Sequence, residues 1–448
     1  MLSRARALTA IGLGSLITLT VASPALAAVE TETAFVFNTF LFLVGGFLVM
    51  WMAAGFAMLE GGLVRTKNTS MQMLKNISLF SIAGIMYYLI GYNLMYTDVS
   101  GYIGSFSLLY NPGEAELAVV GGGDATAYLE DNSYSVMSDW FFQMVFVATA
   151  ASIVSGTVAE RIKIWPFLIF VFVLTGFLYP IQGSWTWGGG WLSEMGFLDF
   201  AGSTIVHSVG GWAALTGALI LGARKGKYGA DGKVNPMPGA NLPLATLGTF
   251  ILWLGWFGFN GASQLALGSA ADSAAVAIVF TNTNLAAAGG VVAAVILTQI
   301  MYGKIDLTMA LNGALAGLVS ITAEPLAPSP LAAILIGAVG GVLVVLTVPL
   351  LDKLKIDDVV GAIPVHLVAG IWGTLAVPLT NGDASFGNQI IGIVAIGVFV
   401  SVVSGIVWMA LKVTMGIRCS EEDEEVGLDK AELGMEAYPE FGTGSKTI

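Results

Sequence analysis

The chain has 448 residues, of which 56% are hydrophobic and only 11% are charged, and its formal net charge is −12. A water-soluble globular protein of this length does not have such a composition, so the sequence predicts an all-α polytopic membrane protein embedded in a lipid bilayer. No clustered basic stretch points to a nucleic-acid partner. The single cysteine, Cys419, excludes an intrachain disulfide and any metal site built from several cysteines.

The first 27 residues have the features of a secretory signal peptide. Arg4 and Arg6 precede an apolar stretch that ends in Ala25-Leu26-Ala27, an A-x-A cleavage sequence. The apolar stretch is short for a membrane span, and the next apolar segment begins at once. We therefore predict cleavage after Ala27, with an uncleaved first span as the alternative.

Eleven apolar runs, each about as long as the roughly 20 residues that a membrane span needs, follow the signal sequence. They lie near residues 35–60, 76–96, 138–159, 164–180, 202–222, 242–262, 274–300, 305–322, 330–350, 360–378 and 388–415. The sequence therefore predicts a transmembrane domain over residues 28–415 and a C-terminal tail over residues 416–448.

Lysine and arginine are confined to alternate loops. Spans 1, 3, 5, 7 and 9 are followed by Arg65, Lys67 and Lys75, by Arg161 and Lys163, by Arg224, Lys225, Lys227 and Lys233, by Lys304, and by Lys353 and Lys355. Loops 97–137 and 181–201 contain neither residue type. Because positive residues gather in short cytoplasmic loops, we predict an outside N-terminus and a cytoplasmic tail.

The two histidines occupy equivalent places if the first ten spans are divided into two halves of five. His207 then lies in span 5 of the half at about 35–222, and His366 in span 10 of the half at about 242–378. An odd number of spans per half gives the halves opposite orientations, which is the inverted-repeat plan of many transporters. The last helix, 388–415, stands outside the repeat.

An ionisable side chain inside a membrane marks a substrate or proton path by default. Uncharged His207 and His366 each offer one N–H donor and one acceptor, so the pair suits conduction of a small polar solute. A bis-histidine haem needs ligands that face each other across a ring-sized gap, and a catalytic metal needs a third protein ligand. We therefore favour conduction over both alternatives and predict no cofactor and no metal.

Two further side chains near span 5 allow two interpretations each. Asp199 lies eight residues before His207 and is either an N-terminal cap of span 5 or an anion that favours cations above the pore. Trp187, in the outside loop "SWTWGGGW", belongs either to the interfacial aromatic belt or to a site that binds a weakly hydrated cation over its ring.

Several long stretches resemble the family of ammonium transporters, methylammonium permeases and Rhesus proteins, and specifically its bacterial ammonium transporters. They run from about residue 35 to the tail: "AGFAMLEGGLVRTKN", "FFQMVFVATAASIVSGTVAERIK", "WGGGWL", "DFAGSTIVHSVGG", "GWFGFNGAS", "KIDDVVGAIPVHLVAG" and "GLDKAELGMEAYPEF". The resemblance implies a transporter and not an enzyme, with eleven spans in an inverted five-plus-five repeat. It also implies a bacterial inner membrane location and a homotrimer with one pore per subunit.

The resemblance assigns eight residues to four parts of one pathway. These are an outer ammonium site (Trp187, Phe146 and Ser263, with Phe142 beside it), a stacked gate (Phe146 and Phe259), a pair of pore histidines (His207 and His366) and a structural acid near the outer site (Asp199). Two positions depart from the family. Gly361 stands where several relatives carry an acid, which leaves open whether Asp199 has a symmetry mate, and "AELGMEAY" in the tail lacks a histidine that many relatives have.

The implied mechanism is capture of ammonium outside, loss of a proton near the gate, and passage of ammonia along the histidines. Separate transfer of the proton would make transport electrogenic, and its return outside would make the protein a gas channel; both stay open. The alternative function is an ammonium sensor that signals through its tail, although such sensors usually carry an added cytoplasmic domain. The basic loops and the tail also suggest docking of a trimeric PII-class signal protein.

Overall fold

The structure, a computed structural model, describes residues 29–440. The predicted signal peptide lies outside the described residues. Nine helices in this part of the chain are long and apolar enough to cross a membrane, and two further apolar helices are shorter. In chain order they are α1 (Thr31–Leu63), α2 (Thr66–Tyr96), α3 (Val136–Thr157), α4 (Ile164–Ser184), α5 (Ser203–Leu221), α6 (Leu242–Ala262), α7 (Ala270–Tyr302), α8 (Leu307–Ile321), α9 (Pro330–Lys353), α10 (Ile363–Leu379) and α11 (Phe386–Thr414).

The predicted all-helical fold is therefore confirmed for the described residues, where only two isolated β-bridges occur and no β-strand forms. Each predicted span corresponds to one helix. The largest difference is at α2, which begins at Thr66, ten residues before the predicted start at 76. The two shorter helices, α8 and α10, were predicted as spans 8 and 10.

Close helix packing depends on glycine where α1 meets α6. A Cβ atom placed on Gly55 would lie 2.9 Å from the backbone N of Leu252 and 3.1 Å from the carbonyl O of Gly248. Real Cβ atoms do not approach backbone atoms so closely, so only glycine permits this separation. Small residues let membrane helices pack backbone to backbone. α1 and α6 hold the first place in the two predicted halves, so this contact joins the halves.

The tail packs against the loops that carry the positive residues. It forms two short helices, α12 (Glu421–Val426) and α13 (Leu428–Leu433). The Asp429 carboxylate accepts hydrogen bonds from the backbone N–H groups of Ser70 (2.9 Å) and Met71 (2.7 Å) near the start of α2. Glu432 accepts one from the N–H of Ile164 (2.9 Å), the first residue of α4. The tail thus caps two of the membrane helices.

Candidate functional site

Both histidines lie in π-helical turns. His207 is in the turn Ser203–Ser208 that opens α5, and His366 is in the turn Ile363–Val368 that opens α10. Such turns are rare and occur frequently at functional sites. Both side chains are buried, and their Nδ1 atoms lie 3.2 Å apart. The two rings that the sequence separates by 159 positions therefore share one hydrogen bond.

The shared proton fixes what each ring offers to a third partner. Because one Nδ1 donates and the other accepts, one ring has a protonated Nε2 and the other a bare Nε2. The assignment of donor and acceptor depends on the tautomers. The Nε2 atom of His207 is buried without a hydrogen-bond partner among the described residues. An unpaired buried polar atom is costly, so this nitrogen is available to a small polar molecule.

Asp199 caps the π-helical turn that carries His207. Its two carboxylate oxygens accept four backbone hydrogen bonds of 2.8 to 3.0 Å, from Gly202, Ser203, Thr204 and Ile205. Gly202 has a φ of +110°, a conformation that favours glycine. The carboxylate therefore holds the start of α5, and with it the ring of His207, in place.

A second aspartate, Asp358, caps the turn that carries His366 in the way that Asp199 caps the turn that carries His207. The sequence analysis, which considered position 361, missed it. Asp358 accepts hydrogen bonds from the N–H groups of Gly361 (3.2 Å) and Ile363 (2.7 Å) at the start of α10. The signal was present in the sequence, because Asp358 precedes His366 by eight residues, as Asp199 precedes His207.

Aromatic rings continue from His207 toward the side where α3 begins. The ring of Phe259 lies 5.1 Å from that of His207, and the ring of Phe146 lies 4.1 Å from that of Phe259, all between centroids. Phe146 and Phe259 are both buried. Trp256, which the sequence analysis did not single out, stacks on His207 at 5.0 Å and donates from Nε1 to Thr322 Oγ1 (2.9 Å).

An open cavity of about 300 Å³ lies beyond Phe146. The four residues predicted for the outer site all line it, together with seven others: Phe142, Phe146, Trp187 and Ser263, then Tyr92, Tyr96, Tyr134, Asp139, Gln143, Phe200 and Leu265. Trp187 donates from Nε1 to the carbonyl O of Asp199 (3.0 Å), and Ser263 donates from Oγ to the carbonyl O of Phe259 (2.7 Å). We call this space the outer cavity.

Two smaller cavities lie on the other side of the histidines. The first, about 10 Å³, is lined by His366, Phe56 and Glu60 among others, and has room for at most one water molecule. The second, about 180 Å³, is lined by Arg224 and Asp358 among others. Asn312, Val360 and Gly361 line both. The rings and cavities thus follow one another through the molecule. The outer cavity comes first, then Phe146 and Phe259, then His207 and His366, then the smaller and finally the larger of these two cavities.

The histidine pair does not fit the haem and metal alternatives. The two rings are in hydrogen-bond contact, with centroids 5.2 Å apart, so no porphyrin fits between them. Within residues 29–440, no group of three or more His, Cys, Asp or Glu side chains is placed to hold a metal ion. The geometry instead suits a small neutral molecule that meets one donor and one acceptor.

Comparison with known proteins identifies relatives over most of the chain. Residues 40–438 match the Ammonium Transporter Family. The chain is 41% identical over 436 residues to ammonium transporter Amt2 of Archaeoglobus fulgidus, covering 89% of this chain and 87% of that one. A solved structure of a sensor Amt protein superposes with a TM-score of 0.80 at 35% identity, covering 88% and 98% of the two chains. The crystal structure of Candida albicans Mep2 superposes with a TM-score of 0.74 at 26% identity, covering 86% and 87%.

Proposed function

Because the chain belongs to the Ammonium Transporter Family, we propose that it transports ammonium by taking up the cation outside and conducting it inward as ammonia. The observation that carries the proposal is the line of outer cavity, stacked phenylalanines and hydrogen-bonded histidines. Moving a bare monovalent ion into a medium of low dielectric costs on the order of 20 kcal/mol by the Born estimate. Ammonium avoids that cost by leaving its proton behind, which potassium cannot do.

The outer cavity suits a weakly hydrated cation. Trp187 and Phe146 stand edge to face with centroids 6.0 Å apart, and Ser263 adds a hydroxyl oxygen. A cation over such a ring gains about 1 to 2 kcal/mol once it is partly desolvated. In this proposal these residues, with Phe142 beside them, hold ammonium before its proton is lost near Phe146 and Phe259.

The histidines carry the neutral molecule past the middle of the protein. Ammonia can donate to the bare Nε2 of one ring and accept from the protonated Nε2 of the other. The unpaired Nε2 of buried His207 supports this role. Because the two histidines carry no permanent charge, they cannot replace the water shell of a cation.

We extend the proposal to the assembly and its surroundings. Exposed apolar side chains along α1, α7 and α11, among them Phe47, Ile296 and Val398, are available to lipid and to the other subunits of a homotrimer. In this proposal the N-terminus lies outside, and the tail lies in the cytoplasm of a bacterial cell. The tail and basic loops form the surface on which a PII-class protein docks when nitrogen is plentiful.

Reconstitution in liposomes tests the function directly. We expect the purified protein to give saturable uptake of radiolabelled methylammonium, which empty liposomes lack. Current recorded during ammonium addition then separates the two forms of transport, because electrogenic transport produces current and a gas channel does not. Absence of uptake by folded protein would contradict the proposal.

The sensor alternative has one observation in its favour, the 35% identity and TM-score of 0.80 to a sensor Amt protein. A sensor would bind ammonium at the same outer cavity and signal through its tail, without net transport of ammonium. Saturable ammonium binding together with no methylammonium uptake would favour the sensor.

A further inference from the structure

Asp139 is a buried carboxylate that none of the roles above uses. It lies one turn into α3, with Phe142, Gln143 and Phe146 three, four and seven residues further along. That spacing puts all four side chains on one helix face. All four line the outer cavity. Seven residues of α-helix rise by about 10 Å, so Asp139 stands about that far outward from Phe146, at the mouth of the cavity.

Neutral donors hold the Asp139 carboxylate in position. Tyr92 donates from its hydroxyl to Oδ2 (2.5 Å), and Gln143 donates from Nε2 to Oδ1 (3.2 Å). Asp139 is only 7% exposed. A carboxylate has about four lone-pair positions, so two of them remain after these bonds. Asp199 differs, because four backbone N–H groups occupy its oxygens.

No fixed positive charge balances Asp139 within residues 29–440. None of the ion pairs in that part of the chain includes it. None of the residues that line the outer cavity is Lys, Arg or His. The neighbouring outer loops, 97–137 and 181–201, also contain no Lys or Arg. Two hydrogen bonds stabilise this carboxylate without balancing its charge, so the site is electrostatically open to a mobile cation.

We propose that Asp139 is the first binding station for ammonium, where a fixed negative charge concentrates small monovalent cations before they reach Trp187 and Phe146. This inference rests on the proposed transport function and adds a residue to its outer site. The carboxylate attracts a cation by its charge and does not distinguish one monovalent cation from another, so potassium competes with ammonium there. Discrimination follows at the phenylalanines and histidines, where only ammonium can shed a proton.

The test is the concentration dependence of methylammonium uptake in liposomes containing the full chain. Asp139→Asn keeps the size and removes the charge; its amide oxygen can accept from one of the two partners, and its NH2 group can donate to the hydroxyl or amide oxygen of the other. We expect its KM to rise about ten-fold with a maximal rate within about two-fold of the parent, since one unscreened charge near the cation is lost. Potassium should inhibit the variant more weakly by a similar factor.

Two control variants separate charge from structure. Asp139→Glu retains the charge, and we expect it to restore most of the affinity. Glu194→Gln removes an exposed charge from loop 181–201 outside the cavity and should leave KM unchanged.

An unchanged KM in Asp139→Asn, with the parent active, overturns the inference. So does a fall in maximal rate alone, which would indicate a structural role, or an equal rise of KM in Asp139→Glu. Failure of the parent itself to take up methylammonium would refute the proposed function instead, and the two outcomes are therefore distinguishable.

Discussion

The hydrogen bond between His207 and His366 makes two chemically identical side chains unequal. Each ring sits on an element whose start is fixed by an aspartate eight residues earlier, Asp199 or Asp358. Trp256 and Phe259 stack against His207 and restrict its rotation. The rings are therefore held in orientation by the side chains around them.

Removal of the Asp199 carboxylate should destabilise the protein. Asp199→Ala leaves four buried backbone N–H groups without an acceptor, so we expect a loss of at least about 2 kcal/mol and a clear fall in melting temperature in detergent. Asp306→Ala is the control, because Asp306 caps α8 through only two N–H groups and is half-buried. Equal melting temperatures for the two variants would contradict the capping role.

The family resemblance singled out four residues that line the outer cavity, the stacked Phe146 and Phe259, and the two histidines, but three other residues escaped notice. Asp358 was missed because the comparison with the family concerned position 361, where this chain has glycine. Trp256 was not separated from the many membrane-interface tryptophans. Asp139 lies near the start of α3, next to a loop. Its proposed role depends on the absence of a Lys, Arg or His side chain beside it, which sequence spacing alone does not reveal.

At the scale of helices, buried polar contacts between helices explain why α2 begins earlier than predicted. Gln72 and Asn76 donate to the Glu60 carboxylate of α1 (2.5 and 2.9 Å), and Lys75 donates to the carbonyl O of Ser155 in α3 (2.7 Å). Hydropathy left Gln72 and Lys75 outside the predicted span. Their partners lie on other helices, so only the folded structure shows that they are satisfied.

Glycine at the contact of α1 and α6 should be essential for packing. Gly55→Ala forces a methyl group against the backbone of α6, where 2.9 Å is available, and we expect a loss of about 1 to 3 kcal/mol. Gly405→Ala is the matched control, since Gly405 lies within α11 with no atom within 4 Å of its Cβ position. The control should be neutral or slightly stabilising, because alanine favours helix. The measurement is the melting temperature of each variant in detergent; a neutral Gly55→Ala would contradict the close packing.

At the scale of the whole molecule, charged residues join the two predicted halves on the face that carries the tail. Asp357, which precedes α10, accepts hydrogen bonds from the backbone N–H (2.8 Å), Nε (2.9 Å) and Nη2 (2.9 Å) of Arg224, which follows α5. Burial alone would raise the pKa of Asp357, but these bonds and the charges of Arg161 and Arg224 lower it below its ordinary value. The carboxylate is therefore more stable as an anion in the folded protein than in the unfolded chain.

This pair should make stability depend on pH. A folded-state pKa below the unfolded value, about 3.9, means that the contribution is complete above that pH and is lost as the pH falls through the folded pKa. We expect the melting temperature to fall on acidification toward pH 3, and to fall less steeply in Asp357→Asn, which starts lower. Parallel curves for the two proteins would show that Asp357 does not contribute.

Orientation in the membrane can be tested with single cysteines. Cys419 is unsuitable because it is 6% exposed and packs against Met71 and Leu428, so it is first replaced by serine. In that background we expect Glu422→Cys in the tail to react with an impermeant thiol reagent only from the cytoplasm. Asn111→Cys in loop 97–137 should react only from outside; both positions are exposed in the structure. The reverse pattern would overturn the orientation predicted from lysine and arginine.

Potassium flux in liposomes tests most directly whether the transported species crosses His207 and His366 without its charge. The parent should take up methylammonium and exclude potassium, although potassium competes at the outer cavity. Replacement of both histidines, His207→Asp with His366→Asp, puts fixed negative charge on the pathway, so we expect this variant to conduct potassium. A parent that conducts potassium as readily as ammonium would contradict deprotonation and leave the two histidines as ordinary polar lining.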